Sequence, residues 1–276
     1  MTPRLNRKPA EKSNGRRQRL VKRLVKIAGW ITGGFFILSI GLVFLFKFVP
    51  PLFTPLMVAR SLEAREAGRD TQIRYDWTPY ERISPDAAIA VVAAEDQRFP
   101  QHAGFDWTSI RQALKAGRNR KQTRGASTIS QQVAKNVFLW NQRSYFRKGL
   151  EAYFTVLIEL IWGKQRILEV YLNVAETGDQ TFGIPAASAR FFGRPAHRIS
   201  RRQAATLAAI LPNPRRFSAR RPSPYVRRRA NFILQQMRNL GGPAYLKDPL
   251  RFQKSAVWVL GAPSRKEVIS QKMGSR

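Results

Sequence analysis

The chain has 276 residues, with 49 Lys plus Arg against 17 Asp plus Glu, a formal net charge of +32. That length holds one domain with appendages or two small ones, and 43% hydrophobic with 24% charged residues excludes a wholly disordered chain. The absence of cysteine removes disulfides, thiolate catalysis, zinc fingers and iron–sulfur clusters, and two histidines, His102 and His197, are too few for a histidine-rich metal site.

Residues 1–26 carry ten basic residues against a single acid, Glu11. Ile27–Phe46 follows without any charge. About 20 apolar residues at roughly 1.5 Å each match a hydrocarbon layer of about 30 Å, so a transmembrane helix is expected over 27–49. A globular helix of that length would show a polar face, and none is present. Lys47-Phe48-Val49-Pro50-Pro51 is a poor cleavage site for a signal peptide. Positive charge before the span predicts a cytoplasmic N-terminus and an extracytoplasmic remainder, which argues against nucleic acid as a partner. From Phe48 onward, 38 basic and 16 acidic residues leave +22, which suits a domain held at an anionic lipid surface.

Beyond the span the signals are helical. Ser84-Pro85-Asp86 opens a helix toward Glu95, with serine as cap and proline at the first position. Thr108 begins another that stops near Gly117, and Thr128–Leu139 and Ser144–Trp162 follow, the latter closed by Gly163. Lys164–Asn173 and Pro185–Phe192 come next. Ser200-x-x-Gln203 is a capping box for a helix reaching Leu211, and Ser223-Pro224 opens a last helix ending at Gly241-Gly242. Alternation at period two is confined to short pieces such as Gln72–Trp77. The fold class is therefore mainly α. The expected division is a basic tail over 1–26, the span over 27–49, a linker over 50–76, a helical domain over 77–242 and a peripheral tail over 243–276.

Four segments carry chemistry. In Glu95-Asp96-Gln97-Arg98-Phe99, followed by His102 and Gly104, two carboxylates emerge where an alanine- and valine-rich helix ends. A carboxylate beside apolar surface has its charged form disfavoured, which moves it toward the range of a general base; the spacing equally allows an ion pair of Asp96 with Arg98. In Gly125–Asn136, residues Ser127, Gln131 and Lys135 form a polar stripe opposite Ile129, Val133 and Val137. Hydroxyls at a helix start with a lysine on the same face suit an anion, or else a solvated face. Arg147 and Glu151 stand four apart on the next helix, after Arg143, and either pair on the surface or face a cleft. Lys164–Asn173 reads alone as an amphipathic helix. No phosphate-binding loop and no Ser-x-x-Lys or Lys-Thr-Gly motif occurs, which removes nucleotide use and penicilloyl-serine chemistry.

Glu95-Asp-x-x-Phe99-x-x-His102-x-Gly104, Gly125-x-Ser-Thr-Ile-x-Gln-Gln132, Arg147-Lys-x-x-Glu151 and Lys164-x-x-Ile-Leu-Glu-x-Tyr-Leu-Asn173, in this order, resemble the peptidoglycan glycosyltransferase family. Gln203–Pro214 is a looser fifth match, and the resemblance spans Trp77 to Leu240. It implies a lysozyme-like α domain with a larger head lobe and a small membrane-facing jaw. The implied reaction polymerises lipid II into β-1,4-linked glycan with inversion and release of undecaprenyl pyrophosphate, at the bacterial cytoplasmic (inner) membrane. Glu95 and Glu151 are implied as catalytic. Asp96, Phe99, His102, Ser127, Thr128, Gln131, Gln132, Lys135, Asn136, Arg143, Arg147 and Lys148 are implied in binding substrate and pyrophosphate. Lys164, Glu169, Tyr171 and Asn173 are implied as structural. No cofactor is demanded, although a divalent cation, magnesium or manganese, suits the pyrophosphate. Expected partners are lipid II, the growing glycan strand, membrane lipids and other proteins of wall synthesis. Phe138, Leu139, Trp140 and Tyr145 either dip into lipid or pack in the core. A lysozyme-like glycan hydrolase and a non-enzymatic basic membrane adaptor stay open as alternatives.

Overall fold

The computed structural model describes residues 11–111, 127–142 and 144–247. The chain divides into two compact units, Met1–Phe46 and Lys47–Arg276. In the first unit, helix α1 begins at Glu11 and runs on to Phe48. Its Gln18–Phe48 stretch is long and apolar enough to cross a membrane, as a single-pass anchor requires.

The second unit is built around α3 (Pro85–Glu95), in which every residue from Ala87 to Ala93 is buried. Five alanines in eleven residues let neighbours approach from all sides, so this helix is apolar all round. It packs against α8 (Arg201–Ile210) and α9 (Pro224–Asn239) on one side, and contacts α6 (Lys164–Val174) on another. Helix α4 (Ile129–Phe138) packs against α5 (Tyr145–Ile161) and α6, and α7 (Gly183–Phe192) also packs on α6. Helical backbone at Trp107–Arg111 begins the element expected from Thr108; its expected end lies outside the described residues. Asp106 caps this start, accepting the N–H groups of Thr108 and Ser109 at 3.1 and 3.0 Å.

Most caps form as their residue types dictate. Thr128 with Gln131, and Ser200 with Gln203, make complete reciprocal capping boxes. Ser144 and Ser223 accept the Arg147 and Val226 N–H groups. Ser84 departs from expectation: it stands at the cap position of α3, but its side chain makes no capping bond. Gly163, as expected, and Gly193 both adopt positive φ and end the preceding helices.

The segment 50–76, expected as linker, contains helix α2 (Pro55–Glu66), capped by Thr54, and strand β1 (Arg74–Tyr75). β1 pairs parallel with β3 (Thr181–Phe182), which pairs antiparallel with β2 (Glu176–Gly178), giving the order β1-β3-β2. Leu56 and Met57 of α2 pack on Phe182, and Arg60 reaches Glu176 at 2.9 Å. β1 lies within the short alternating piece Gln72–Trp77, whereas α2 was not read from the sequence. Residues 243–247 likewise pack onto the domain: buried Tyr245 donates its hydroxyl to the Gln97 carbonyl at 2.8 Å.

Gly183 shows how close the packing is. Its φ is +81°, and a Cβ there would meet the Asn173 carbonyl oxygen at 2.3 Å. Gly183→Ala is expected to destabilise the protein by about 3 kcal/mol or more, combining backbone strain with a clash against main chain. The urea midpoint of the detergent-solubilised chain measures it, and an unchanged midpoint would contradict this contact.

Candidate active site

Glu95 is the last residue of α3, where the carbonyl end of the helix is a poor environment for an anion. Its side chain is only 16% exposed. Gln132 Nε2 donates to Glu95 Oε2 at 3.0 Å, and Arg229 Nη2 lies 3.7 Å from Glu95 Oε1. Burial raises the Glu95 pKa above the ordinary 4.5, and the neighbouring Asp96 charge adds to this; Gln132, Arg229 and Lys135 oppose it. The Gln132 amide is oriented from the other side by Tyr171, whose hydroxyl donates to Gln132 Oε1 at 3.2 Å. Burial, then the charges of Glu95 and Asp96, push the Tyr171 hydroxyl well above its usual pKa, so it stays a donor.

Gln132 also lines a cavity of about 260 Å³ with Ser127, Gln131, Lys135, Asn141, Arg147, Lys148 and Glu151. The polar stripe of α4 therefore faces this space, while Ile129, Val133 and Val137 turn into the core. Across from it, α5 presents Arg147 and Glu151. Arg147 Nη1 bonds Glu151 Oε2 at 3.1 Å and Lys148 Nζ bonds Glu151 Oε1. Glu151 is thus a buried anchor that aims two cations at the cavity. Burial lowers the Lys135 pKa; Glu151 counters this, while Arg147 and Lys148 reinforce it. Three cations around one acid give the cavity a net positive potential suited to a polyanionic group.

Five expected binding residues stand elsewhere. Asp96, Phe99, His102, Thr128 and Asn136 are buried and do not line the cavity. Asp96 Oδ2 accepts the Ile129 N–H at 3.0 Å, and His102 Nε2 lies 2.9 and 3.1 Å from its two oxygens. An acid beside the open amides of a helix start is favourable, so Asp96 is consumed in fastening α4 to the end of α3. Thr128 caps α4 and donates to the Gly104 carbonyl at 2.6 Å. Phe99 is fully buried and lies under Lys164, whose Nζ is 4.5 Å from the ring centroid. Arg143 lies outside the described residues.

The fourth segment supports the frame. Lys164 pairs with Glu159 at 2.7 Å, and Ser130 of α4 donates to the same carboxylate oxygen. Burial lowers the Lys164 pKa, with Glu159 acting against it. Glu169 accepts the Tyr80 N–H at 3.2 Å, and Asn173 exchanges two bonds of 2.9 Å with the Thr78 main chain. Arg229, Glu159 and Asn141 were not singled out by the sequence, since each reads locally as an ordinary surface or helix residue. Of the four candidate lipid-facing residues, Leu139 is buried and Phe138 stacks on Phe154 at 4.6 Å, whereas Trp140 and Tyr145 are exposed.

A resident divalent cation does not fit these side chains. Among the described residues no three His, Asp or Glu converge, and both oxygens of Glu151 are already held by Arg147 and Lys148.

The family model described as Transglycosylase matches residues 63–238, from within α2 to the end of α9. The chain belongs to the transglycosylase family. Its domain is lysozyme-like and mainly α, as expected. Among curated relatives, this transglycosylase is 52% identical over 227 residues to the biosynthetic peptidoglycan transglycosylase of Pseudomonas putida strain F1, covering 82% of this chain and 94% of that one. The protein of the same name from Pseudomonas fluorescens strain SBW25 is 51% identical over 239 residues, covering 87% and 98%. That from Chromohalobacter salexigens is 52% identical over 214 residues, covering 78% and 92%.

Asp96→Ala removes the acceptor for two buried donors, the Ile129 N–H and His102 Nε2. It is expected to cost about 2–3 kcal/mol of stability, measured by chemical denaturation. A loss of activity with stability intact would instead make Asp96 a direct substrate contact.

Proposed function

We propose that this transglycosylase, an enzyme of peptidoglycan synthesis, polymerises lipid II with Glu95 as general base and the cavity between α4 and α5 as the pyrophosphate site. The observation that carries this is the side chain of Gln132, which bonds Glu95 and also lines the cavity of Lys135, Arg147 and Lys148. A proton acceptor and a cationic cradle thus sit one glutamine apart, as transfer from a pyrophosphate requires. The acceptor 4-hydroxyl gives its proton to Glu95 as its oxygen bonds the anomeric carbon of the donor. The bond from that carbon to pyrophosphate breaks with inversion, α to β. Lys135, Arg147 and Lys148 take up the charge that develops on the leaving oxygen, with Arg143 as a further contact suggested by the family motif. Glu151 serves by holding two of these cations. Asp96, His102 and Thr128 act as positioning residues. A glycan hydrolase would need an acid beside a glycosidic oxygen and would gain nothing from three cations.

In this reading α1 spans the inner membrane with its basic end in the cytoplasm, and the catalytic domain, residues 77–242 with the packed segment before it, works outside. The prenyl chain of the substrate stays in the bilayer, so an anchored enzyme meets it at the membrane surface.

Glu95→Gln is expected to lower polymer formation from labelled lipid II by about 10² or more, the usual worth of a positioned base. Near-normal turnover would remove Glu95 from that role. The wild-type rate should fall as the pH drops through the raised pKa of Glu95, leaving an acid limb above the ordinary 4.5 of glutamate.

A raised folded-state pKa also means that ionised Glu95 opposes folding. Stability linked to this group is full below its unfolded pKa and is lost as pH rises through its folded one. Glu95→Gln should therefore unfold at a higher temperature than wild type at neutral pH, and this advantage should shrink as pH falls through the raised folded-state pKa toward the ordinary 4.5 of glutamate. Equal melting temperatures at neutral pH would contradict the strain assigned to Glu95.

A further inference from the structure

From Gln180 to Lys247 the chain runs 68 residues without one Asp or Glu while carrying 13 arginines and a single lysine. Ion pairing explains few of them: Arg201 meets Asp86, Arg215 meets Glu63, and Arg229 meets Glu95. Arg216, Arg220, Arg221 and Arg228 are exposed and form no ion pair with any described residue. Three of these four lie in the connection between α8 and α9, and Arg228 follows just inside α9. The first turn of α9 holds no acid, so Arg227 and Arg228 sit at the positive end of a helix, where cations are unfavourable. Such a concentration of unpaired guanidinium groups costs folding free energy through self-repulsion. The fold gains nothing from it, whereas an anionic partner would.

Two further features narrow that partner. Phe217 and Tyr225 stack with centroids 5.1 Å apart, and Tyr225 is 46% exposed amid the arginines. One residue beyond Arg228, Arg229 reaches the candidate base Glu95. The arginine-rich segment therefore leads in sequence to the residue that reaches the candidate base, and it carries an exposed aromatic side chain, Tyr225, on which a sugar ring can lie.

We propose that this arginine face is a holding surface for the glycan strand, binding the carboxylates of its stem peptides beside the site that makes it. The proposal rests on the polymerase reading above. Arginine rather than lysine fits it, because a planar guanidinium binds a carboxylate through two parallel hydrogen bonds. A lipid headgroup shares the anionic chemistry, but the exposed Tyr225 ring and the sequence link to Glu95 favour a sugar polymer.

The test uses the full chain in detergent and preformed, uncross-linked glycan strands carrying a fluorescent label, read by anisotropy at low and high salt. The same strands with their carboxylates amidated form the second probe, and vesicles with or without phosphatidylglycerol the third. Native strands are expected to bind with a steep salt dependence, and amidated strands about tenfold more weakly or worse. The triple variant Arg220→Gln, Arg221→Gln, Arg228→Gln should lose about as much, with a melting temperature no lower than that of the wild type. Equal binding of native and amidated strands overturns the proposal, and so does a folded triple variant that loses only vesicle binding. If the triple variant fails to fold, the comparison of the two strand types on the wild type decides alone. Failure of the wild type to consume lipid II, with strand binding intact, would count against the polymerase reading and leave this surface standing.

Discussion

The N–H of Ile129 points at Asp96 Oδ2 from 3.0 Å, and His102 holds the same carboxylate from the other side. Everything in the candidate site depends on this contact. Asp96 is the residue after Glu95, so wherever it is pinned, the end of α3 is pinned too. Ile129 is the first residue of α4, so its partner fixes where Gln131, Gln132 and Lys135 begin. A buried carboxylate against the positive end of a helix is one of the few ways to bury an acid favourably. Here it sets a base and the polar stripe that ends in Lys135, 40 residues apart in sequence from Glu95 to Lys135, on the two sides of one glutamine.

A second buried pair closes the frame from behind. Glu159 near the end of α5 takes Lys164 at the start of α6 and Ser130 in the first turn of α4. Such a pair returns little net stability, because desolvating both charges offsets most of their attraction. Its geometry matters more than its energy. It ties three helices at one point, and Lys164 also lies over the Phe99 ring, which belongs to the loop leaving Asp96. The two networks meet there, so α4 is held at its first residue by Asp96 and one residue later by Glu159. Gly104 shows how tightly that loop lies on α5: a Cβ on it would meet Thr155 Cγ2 at 2.6 Å.

Helices with strong local punctuation were legible in the sequence: the capping box at Ser200 and the Ser223-Pro224 start define their elements without tertiary help. The polar stripe of Ser127, Gln131 and Lys135 was legible because helical periodicity alone puts these residues on one face. Helix α2 and the three-stranded sheet were not. Of the strands β1 alone falls in an alternating piece, Gln72–Trp77, while β2 and β3 are too short to carry one, and α2 is held by Thr54, by Phe182 and by the Arg60–Glu176 pair, 116 residues apart. Within the first motif, sequence could group Glu95, Asp96 and His102 but could not separate their work. Adjacent residues at a helix end diverge sharply, and only the trans contact to Ile129 tells which carboxylate is spent on structure.

Arg229 marks the same limit from another direction. Three arginines in a row at the start of a polar helix read as a solvated face. The packing of Val226, Ala230, Ile233 and Met237 against the core turns that helix so that Arg229, flanked by buried Val226 and Ala230, faces inward toward α3. There it counters the burial of Glu95, as Gln132 does from α4. A base needs both pressures. Burial alone would leave the carboxyl protonated and inert, and full compensation would leave it a weak acceptor like any exposed glutamate. The site resolves this with one guanidinium set slightly beyond hydrogen-bond range, at 3.7 Å, and one neutral amide at 3.0 Å. The nearer donor carries no charge and the charged one stands off, so both oppose the burial that raises the Glu95 pKa without a tight ion pair holding the carboxylate.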